Sequence, residues 1–589
     1  MLNVRYNKRY LNLYREGLLK QLFILLLLVG FIEAKTYEKL EFSGEGIDFL
    51  MGNFSSSTLY KVIGKPYPPF YTPWRDDPTF QESDIKTYHT LLDEYFQSFG
   101  YYKADINITV KEDFIDVNIH KNEPIKVTSI MIEPSKELRR GILFKEGDTF
   151  NTATFTATKK GLERYLLEEG YPKYAFDAKA YVDLDAYEVK LDFHVDKNAS
   201  YRLGETKIAG RENVDEVIIR EQIAYKVGDK YNIANLEKTY DQLYELGVYD
   251  YILVEPKLDS NESEVPIDIT LKKGDTKFLK GSVGYNSNEG ARGGLSWIDK
   301  NFYGNLKVFD VGIKMTQIGY EAYNIFYNPR IMLPYVGKIT FENNINYHKY
   351  RYDTFDESAL INRVTFGKRL FGLEHYFGLL TEYSIIDAKV ASAQDDDGNY
   401  FINSLFYRLL IDKRDSMTNA RNGYYVSLYI EKSMSALSSD FEYFKALLEL
   451  RYLKSFGSRW TVGIKTRIGS INEDVPIFKR FFTGGSFTNR GYEYRELGPK
   501  DSAGVPFGGV SLVDVMTEVR YRVWQKLSLV AFYDTSALSL EPHNFDDTFY
   551  GSYGAGVRYV TPIGPLRLDF GFPEDIDGFA FHISIGQVF

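Results

Sequence analysis

Apolar and polar residues alternate over long stretches of the C-terminal half of the chain, from about Lys277 onward. In one stretch Ile339 and Phe341 interleave with Thr340 and Glu342, and similar runs recur up to the C-terminus. Such alternation predicts β-strands with two different faces. Because charged side chains are costly next to lipid, we expect the polar face to line a wet lumen. A soluble β-sandwich alternates similarly but seldom carries strands this long.

The length of this region sets the expected number of strands. Residues 278–589 allow about sixteen tilted strands, at roughly 20 residues for each strand and its turn. The last run places Phe581, Ile583, Ile585 and the terminal aromatic Phe589 on one face. We therefore predict a 16-stranded antiparallel transmembrane β-barrel over residues 277–589, closed so that no edge stays unpaired in lipid.

The region before the predicted barrel contains a repeat. The segment FKEGDTFN at 144–151 recurs as YKVGDKYN at 225–232. Each copy precedes apolar residues at helical spacing and then a glycine, Gly170 or Gly247, suited to a left-handed helix cap. A more divergent copy ends at Gly100, and alternating strand patterns follow each glycine. The pattern predicts three tandem α+β domains, at 36–122, 123–199 and 200–275.

The first residues are typical of a targeting segment. A basic stretch precedes an eleven-residue apolar run, Leu22–Ile32, and then Ala34. Because about 20 apolar residues are needed to span a bilayer, this run predicts a secretory signal peptide over residues 1–34. An uncleaved anchor helix is the alternative. No later run reaches 18 apolar residues, which excludes α-helical membrane domains.

Composition narrows the class of protein further. Aromatic residues make up 16% of the chain although total apolar content is only 44%, a combination that fits the aromatic girdles of a membrane barrel. The absence of cysteine excludes disulfides and thiol catalysis. The net charge of −10 argues against a nucleic-acid partner. We find no metal, nucleotide or hydrolase motif, and Asp395–Asn399 is a poor EF-hand, so we expect neither cofactor nor enzymatic activity.

Several motifs carry a resemblance to a known family. The loop segment FFTGGSFTNRGY at 481–492 resembles the Arg-Gly-Phe/Tyr signature of the outer-membrane β-barrel assembly superfamily, which includes BamA, TamA and the two-partner secretion transporters. Segments 297–304, 412–423 and 564–569 resemble other strand motifs of that family, and the repeats resemble its POTRA domains. The resemblance implies tandem α+β POTRA domains followed by the 16-stranded barrel.

The resemblance also implies roles for individual residues. The family's loop arginine inserts into the lumen and pairs with acidic groups on the wall. Carried over to this chain, Arg490 is expected to meet Asp534 and Glu518, with the loop shaped by Gly484, Gly485, Gly491 and Tyr492. Arginine suits this task because its planar fork binds carboxylates bidentately. Thr535 and Ser536 follow Asp534 where the family often has a glycine, and a surface-exposed Arg490 is the alternative.

A weak seam between the first and last barrel strands is a further implication of the resemblance. Gly281 and Gly284 near its start, with Gly586 and Phe589 at its end, are expected to line it. Glycine inside a strand weakens pairing, which is compatible with such a seam. A client β-strand is then expected to pair with the seam edge and enter the bilayer sideways.

Three POTRA domains resemble the TamA branch of the superfamily. That branch implies a bacterial outer-membrane location with the POTRA domains in the periplasm, unfolded outer-membrane clients of the autotransporter type, and contact with outer-membrane lipid. It also implies a TamB-like partner, anchored in the inner membrane and spanning the periplasm. The alternatives are a two-partner secretion pore for a dedicated exoprotein and a component of phospholipid transport between the membranes.

Overall fold

A computed structural model describes residues 35–45, 47–48, 52–68, 75–133, 138–259, 263–545, 548–561 and 564–586. The predicted signal peptide and Phe589 lie outside these residues. The chain forms two compact units. One contains the described residues up to Glu205 with 225–236 and 256–267, and the other contains 206–224, 237–255 and the residues from 268 onward.

Three small three-stranded sheets with helices precede the barrel. The elements are β1 (Thr36–Tyr37), β2 (Leu40–Ser43), α1 (Ser56–Val62), β3 (Phe80–Gln81), α2 (Ile85–Ser98), β4 (Asp105–Val110), β5 (Ile115–His120), β6 (Lys126–Glu133), α3 (Thr152–Glu168), β7 (Ala175–Asp183), β8 (Glu188–Asp196), β9 (Arg202–Ala209), α4 (Glu216–Arg220), α5 (Ile233–Glu245), β10 (Tyr249–Pro256) and β11 (Glu264–Lys273). The strand orders are β2-β5-β4, β6-β8-β7 and β10-β11-β9, and β1 pairs with β3. The boundaries 36–122, 123–199 and 200–275 stay predictions.

Local sequence explains why these helices form and end where they do. Helix α2 buries Tyr88, Leu92 and Phe96, which recur every four residues along one face. Helix α3 begins at the cap residue Asn151, whose side chain accepts a hydrogen bond from the Thr154 N–H at 3.0 Å. Glycines at 100, 170 and 247 follow the helices with φ of +90°, +88° and +64°, the left-handed conformation that ends a helix.

The C-terminal region forms one antiparallel sheet of sixteen strands in sequence order, which confirms the predicted barrel. The strands are β12 (Lys277–Asn286), β13 (Gly290–Asp299), β14 (Val308–Thr316), β15 (Gly319–Leu333), β16 (Gly337–Arg351), β17 (Phe355–Leu370), β18 (Leu373–Ala388), β19 (Gly398–Asp412), β20 (Gly423–Ser433), β21 (Tyr443–Phe456), β22 (Trp460–Ile471), β23 (Ser511–Arg522), β24 (Leu527–Ser539), β25 (Tyr550–Thr561), β26 (Gly564–Pro573) and β27 (Ala580–Ile585). No helix in the described part of the chain is long and apolar enough to cross a membrane.

The faces of these strands are inverted relative to a water-soluble protein. On β26 the charged residues Arg567 and Asp569 are buried, whereas Phe570 and Phe572 on the alternate positions are exposed. On β23 Glu518 is buried and its neighbour Val519 is exposed. Polar side chains inside and apolar side chains outside are what a barrel surrounded by lipid requires.

Segment 206–224 belongs to the same compact unit as the barrel and contacts the ends of its strands. Glu221, just after α4, accepts hydrogen bonds from Lys338 Nζ at 2.7 Å and from Arg330 Nε at 3.2 Å. Asp215 and Asn305 bond each other twice, at 2.8 and 2.9 Å. Partial burial opposes ionisation of Glu221, but its two cationic partners hold the pKa of its carboxyl below the ordinary value.

We expect Glu221→Gln to loosen segment 206–224 from the barrel. Because the pair is partly exposed, the loss is about 0.2–1 kcal/mol, or roughly a one-and-a-half- to fivefold faster proteolysis of the segment in native membranes. The lowered pKa means that the contact stabilises above the ordinary pKa of a glutamate and is lost as pH falls through the lowered value. The exposed Glu212→Gln is the control, and equal rates for the two variants would contradict the assignment.

Candidate functional site: the lumen loop and the barrel seam

The long connection between β22 and β23, residues 472–510, folds back into the barrel. Thr483, Ser486, Asn489 and Arg490 are all buried. The turn depends on glycine, because Gly484 has φ of +103° and a Cβ there would lie 2.4 Å from a backbone carbonyl oxygen. The loop is therefore a compact plug with its polar groups turned toward the barrel wall.

Arg490 has no exposed surface and is bound by both predicted wall carboxylates. Its Nε and Nη2 donate to the two oxygens of Asp534 at 2.7 and 2.8 Å, and its Nη1 donates to Glu518 at 2.6 Å. The Arg490 backbone N–H also donates to Asp534, at 3.1 Å. The guanidinium lies 3.7 Å from the centre of the Phe532 ring, a stacking contact that suits arginine.

The wall carboxylates are shared with further arginines. Arg558 lies 2.9 Å from Glu518 and 2.7 Å from Asp569, and Arg567 lies 3.0 Å from Asp569. Arg520 donates to the other oxygen of Glu518 at 2.5 Å. These side chains are all buried. Every charge therefore has an opposite partner, which a dry ionic cluster needs in order to persist.

The loop backbone fits closely against β25 and β26. A Cβ on Gly491 would lie 2.3 Å from the Ser552 Cβ, and a Cβ on Gly571 would lie 2.1 Å from the Arg490 carbonyl oxygen. Asn489 Nδ2 donates to the Tyr550 carbonyl at 2.8 Å, and its Oδ1 accepts from Ser552 Oγ at 2.6 Å. Such contacts fix the loop by shape as well as by charge.

Tyr492, the third residue of the signature, anchors the far side of the loop. Its hydroxyl donates to the carboxylate of Asp575 and lies 3.3 Å from the Gly551 carbonyl oxygen. Its ring meets Tyr550 edge-on at 6.1 Å. The loop therefore contacts the connection between β26 and β27 as well as the wall.

The two ends of the sixteen-stranded sheet are hydrogen-bonded to each other through Ser287 and Ile583. Ser287, just after β12, donates from its N–H to the Ile583 carbonyl at 3.0 Å, and its Oγ accepts from the Ile583 N–H at 2.7 Å. Within the described residues β12 and β27 form no ladder. An antiparallel register continued from this pair places Gly284 opposite Gly586, and the Gly586 N–H donates to the Pro565 carbonyl beside it on β26 at 2.9 Å.

Outward-facing side chains of β12 are highly exposed. The side chains of Leu279 and Val283 are 72% and 93% exposed, and no atom lies within 4 Å of a Cβ built at Gly281. These side chains are on the lipid-facing side of β12, and within the described residues no strand pairs with this edge. Of the predicted seam residues, Gly281 and Gly284 lie on this edge, Gly586 follows β27, and Phe589 lies outside the described residues.

The Asp412–Gly423 motif shapes a turn between β19 and β20. Asp415 accepts from the N–H groups of Arg421 and Asn422 at 2.8 and 3.1 Å. Although burial opposes ionisation, these N–H groups lower the pKa of the Asp415 carboxyl. A Cβ at Gly423 would lie 2.1 Å from a backbone oxygen. The motif is therefore a rigid turn and does not contact the loop arginine.

Sequence reasoning named Arg490, Asp534 and Glu518, which the structure brings together, but it missed Arg558 and Asp569. A signal was present, because Arg567 and Asp569 are two residues apart on one strand and so share a face. Glu518 and Arg520 repeat this spacing. Of the EF-hand-like segment Asp395–Asn399, the first two residues end a 3₁₀ helix, Ala391–Asp396, and Gly398 begins β19. No group of three or more His, Asp or Glu in the described chain could hold a metal ion.

The fold and the plugged lumen define an outer-membrane β-barrel with N-terminal domains. Residues 272–589, more than half of the chain, match the Omp85 superfamily domain, and residues 123–198 and 201–274 each match the POTRA family, described as surface antigen variable number repeat. The chain belongs to the Omp85 superfamily. Membership confirms the predicted fold class, the outer-membrane location with periplasmic POTRA domains, and the assignment to a class of barrel proteins that are not enzymes.

Proteins similar to this chain include outer-membrane assembly factors. The chain is 23% identical to the outer membrane protein assembly factor BamA of Nitratidesulfovibrio vulgaris over 76% of its own length and 58% of the relative's. It is 22% identical to BamA of Neorickettsia risticii, covering 74% and 60%. The chain thus spans about three fifths of these relatives. The crystal structure of Haemophilus ducreyi BamA lacking POTRA domains 1–3 has a similar fold, with a TM-score of 0.59, 15% identity and coverage of 78% and 99%.

We expect Arg490→Ala to release the loop. Removing the guanidinium leaves Asp534 without its main partner in a buried site, a loss of about 3–5 kcal/mol. The measurement is protease protection of the loop in intact cells together with the thermal unfolding temperature of the purified barrel. Lys500→Ala, an exposed cation in the same loop, is the control. Unchanged protection in Arg490→Ala would contradict the buried tether.

Gly491→Ala is expected to displace the loop by sterics alone. The added methyl group would overlap the Ser552 Cβ, and overpacking of this kind costs about 1–3 kcal/mol. Ser552→Gly removes the clashing atom, so the double variant Gly491→Ala/Ser552→Gly should be less labile to protease than Gly491→Ala. If the second substitution brings no recovery, close packing at this position is not what requires glycine.

Proposed function

We propose that this protein assembles other proteins into the outer membrane by letting client β-strands pair with the weakly joined seam between β12 and β27. The observation that carries the proposal is the contrast in pairing around the barrel. Neighbouring strands elsewhere share ladders of six residues or more, whereas described residues of β12 and β27 share no ladder, and the two ends of the sheet are hydrogen-bonded through Ser287 and Ile583.

An unpaired strand edge in a membrane favours the addition of a further strand. Each backbone group left unpaired in hydrocarbon costs several kcal/mol. A client strand that adds to β12 satisfies these groups, and it also satisfies its own. The exposed edge therefore acts as a template, as unpaired edges do in soluble proteins. Client folding supplies the free energy, and no nucleotide is required.

The buried loop supports this role by stiffening the strands on the β27 side of the seam. Arg490 is held by β23 and β24 through Glu518 and Asp534, and Asn489 contacts β25. These contacts fix the wall up to β26.

The periplasmic domains offer client or partner strands a further edge. β7 is an edge strand of nine residues, and none of them is fully buried. Strand addition to such an edge is a general mode of peptide recognition. We propose that POTRA edges receive unfolded autotransporter-type clients, and that a TamB-like protein anchored in the inner membrane engages the first domain. These finer assignments rest on the family resemblance and the three-domain arm.

The test is a reversible lock on the seam. The chain has no cysteine, so Tyr285→Cys/Ile585→Cys, opposite each other in the register set by Ser287 and Ile583, gives a single disulfide. We expect oxidation to stop client β-barrel assembly in membranes and reduction to restore it.

The matched control is Tyr347→Cys/Leu360→Cys, an outward-facing pair on β16 and β17 that is already joined by a ladder. Its oxidation should leave assembly unchanged. Normal client assembly by the oxidised seam variant would exclude the lateral route. Impaired lipid asymmetry without a client defect would instead favour phospholipid transport.

A further inference from the structure

Ser486 lies between the two sides of the seam. It is completely buried and follows the two glycines that turn the lumen loop. Its backbone carbonyl faces β26 on one side, and its N–H and hydroxyl face the β12–β13 turn on the other. At this residue the loop therefore reaches both sides of the seam.

On the β27 side, Ser486 is held through Arg567. The Nη2 of Arg567 donates to the Ser486 carbonyl oxygen at 2.9 Å and to Asp569 at 3.0 Å. Arg567 also lies 5.3 Å from the Phe487 ring centre. Because Arg567 is buried and lies on β26, which is paired with β27 through six residue pairs, this contact ties the loop to the last strands.

On the β12 side, Ser486 binds the turn that joins β12 to β13. Its N–H and its Oγ both donate to Asn288 Oδ1, each at 3.1 Å. Asn288 is the neighbour of Ser287, which makes the hydrogen bonds to Ile583. A Cβ at Gly485 would lie 2.9 Å from the same Asn288 oxygen. Loop and turn are therefore in close contact at the place where the seam is closed.

We propose that Ser486 and Asn288 form a clasp that holds the seam closed. Drawing β12 away from β27 at this end requires Asn288 to leave Ser486 or Ser486 to leave Arg567. Arg490 keeps the loop in place independently, with four hydrogen bonds to the wall. Loss of the Asn288 acceptor should therefore free the β12–β13 turn without releasing the loop. The inference deepens the proposed function, on which its importance for clients rests.

The test compares two substitutions of the acceptor in the Tyr285→Cys/Ile585→Cys background, with the rate of disulfide formation in native outer membranes as readout. Asn288→Leu removes the acceptor, and we expect disulfide formation to slow at least threefold. Asn288→Asp keeps an oxygen in place and should form the disulfide within twofold of the parent rate. Equal rates for Asn288→Leu and Asn288→Asp would overturn the clasp.

Two further variants separate the clasp from a general loss of structure. Ser486→Ala keeps the N–H donor and loses the hydroxyl, so it should give an intermediate rate, whereas the exposed Ser502→Ala in the same loop should match the parent. Disulfide formation in the Tyr347→Cys/Leu360→Cys variant should be insensitive to Asn288→Leu. A parallel slowing of that pair would show barrel disruption and overturn the proposal.

The seam readout does not depend on client assembly, so the two proposals can fail separately. A slower seam disulfide in Asn288→Leu supports the clasp even if the oxidised lock leaves client assembly intact, a result that would defeat only the proposed function. If the lock blocks clients while Asn288→Leu leaves the seam rate unchanged, the seam is used but Ser486 does not hold it.

Discussion

The structure depends on one buried guanidinium. Arg490 is fully enclosed, and an enclosed cation persists only with opposite charges and hydrogen-bond acceptors around it. Asp534 and Glu518 supply them, and Glu518 is in turn balanced by Arg520 and Arg558. The need to pair each charge extends the polar cluster over β23 to β26. Strands that carry this cluster inward present their apolar residues outward, where lipid is the favourable neighbour.

Because of this cluster, neighbouring strands are joined more strongly in one part of the barrel wall than in another. Strands β23 to β26 are joined by backbone ladders and also by side chains that meet inside the lumen. Among the described residues β12 has one ladder, to β13, and its hydrogen bonds toward β27 come from Ser287 just after it. A barrel that opens anywhere should open where the fewest hydrogen bonds are broken. The strand order places the first and last strands side by side, and the loop strengthens the wall on the β27 side of them.

The strand number is predicted from the length of the alternating region, and the arginine–carboxylate contact is implied by the family resemblance. Alternation with period two assigns each residue to a face, and the signature at 481–492 marks the loop. Sequence reasoning could not predict the contact between Ser486 and Asn288. These residues are 198 positions apart, and the alternation does not show which strands face each other. Thr535 and Ser536, which depart from the family pattern, leave the Asp534 contact intact, and Ser536 Oγ accepts from Thr483 Oγ1 at 3.3 Å.

Loop and seam are joined by a continuous series of contacts. Arg490 and Arg558 share Glu518, Arg558 and Arg567 share Asp569, and Arg567 binds Ser486, which binds Asn288 beside the seam. Each member is held by the one before it, so a shift of the loop tether changes the position of Arg567 and with it the donors that Ser486 presents to Asn288. A continuous series of contacts couples two sites energetically only where one of its elements can adopt two arrangements. The proposed clasp requires the β12–β13 turn to be such an element, and the turn is held at the seam by hydrogen bonds of Ser287 to Ile583 and of Ser486 to Asn288.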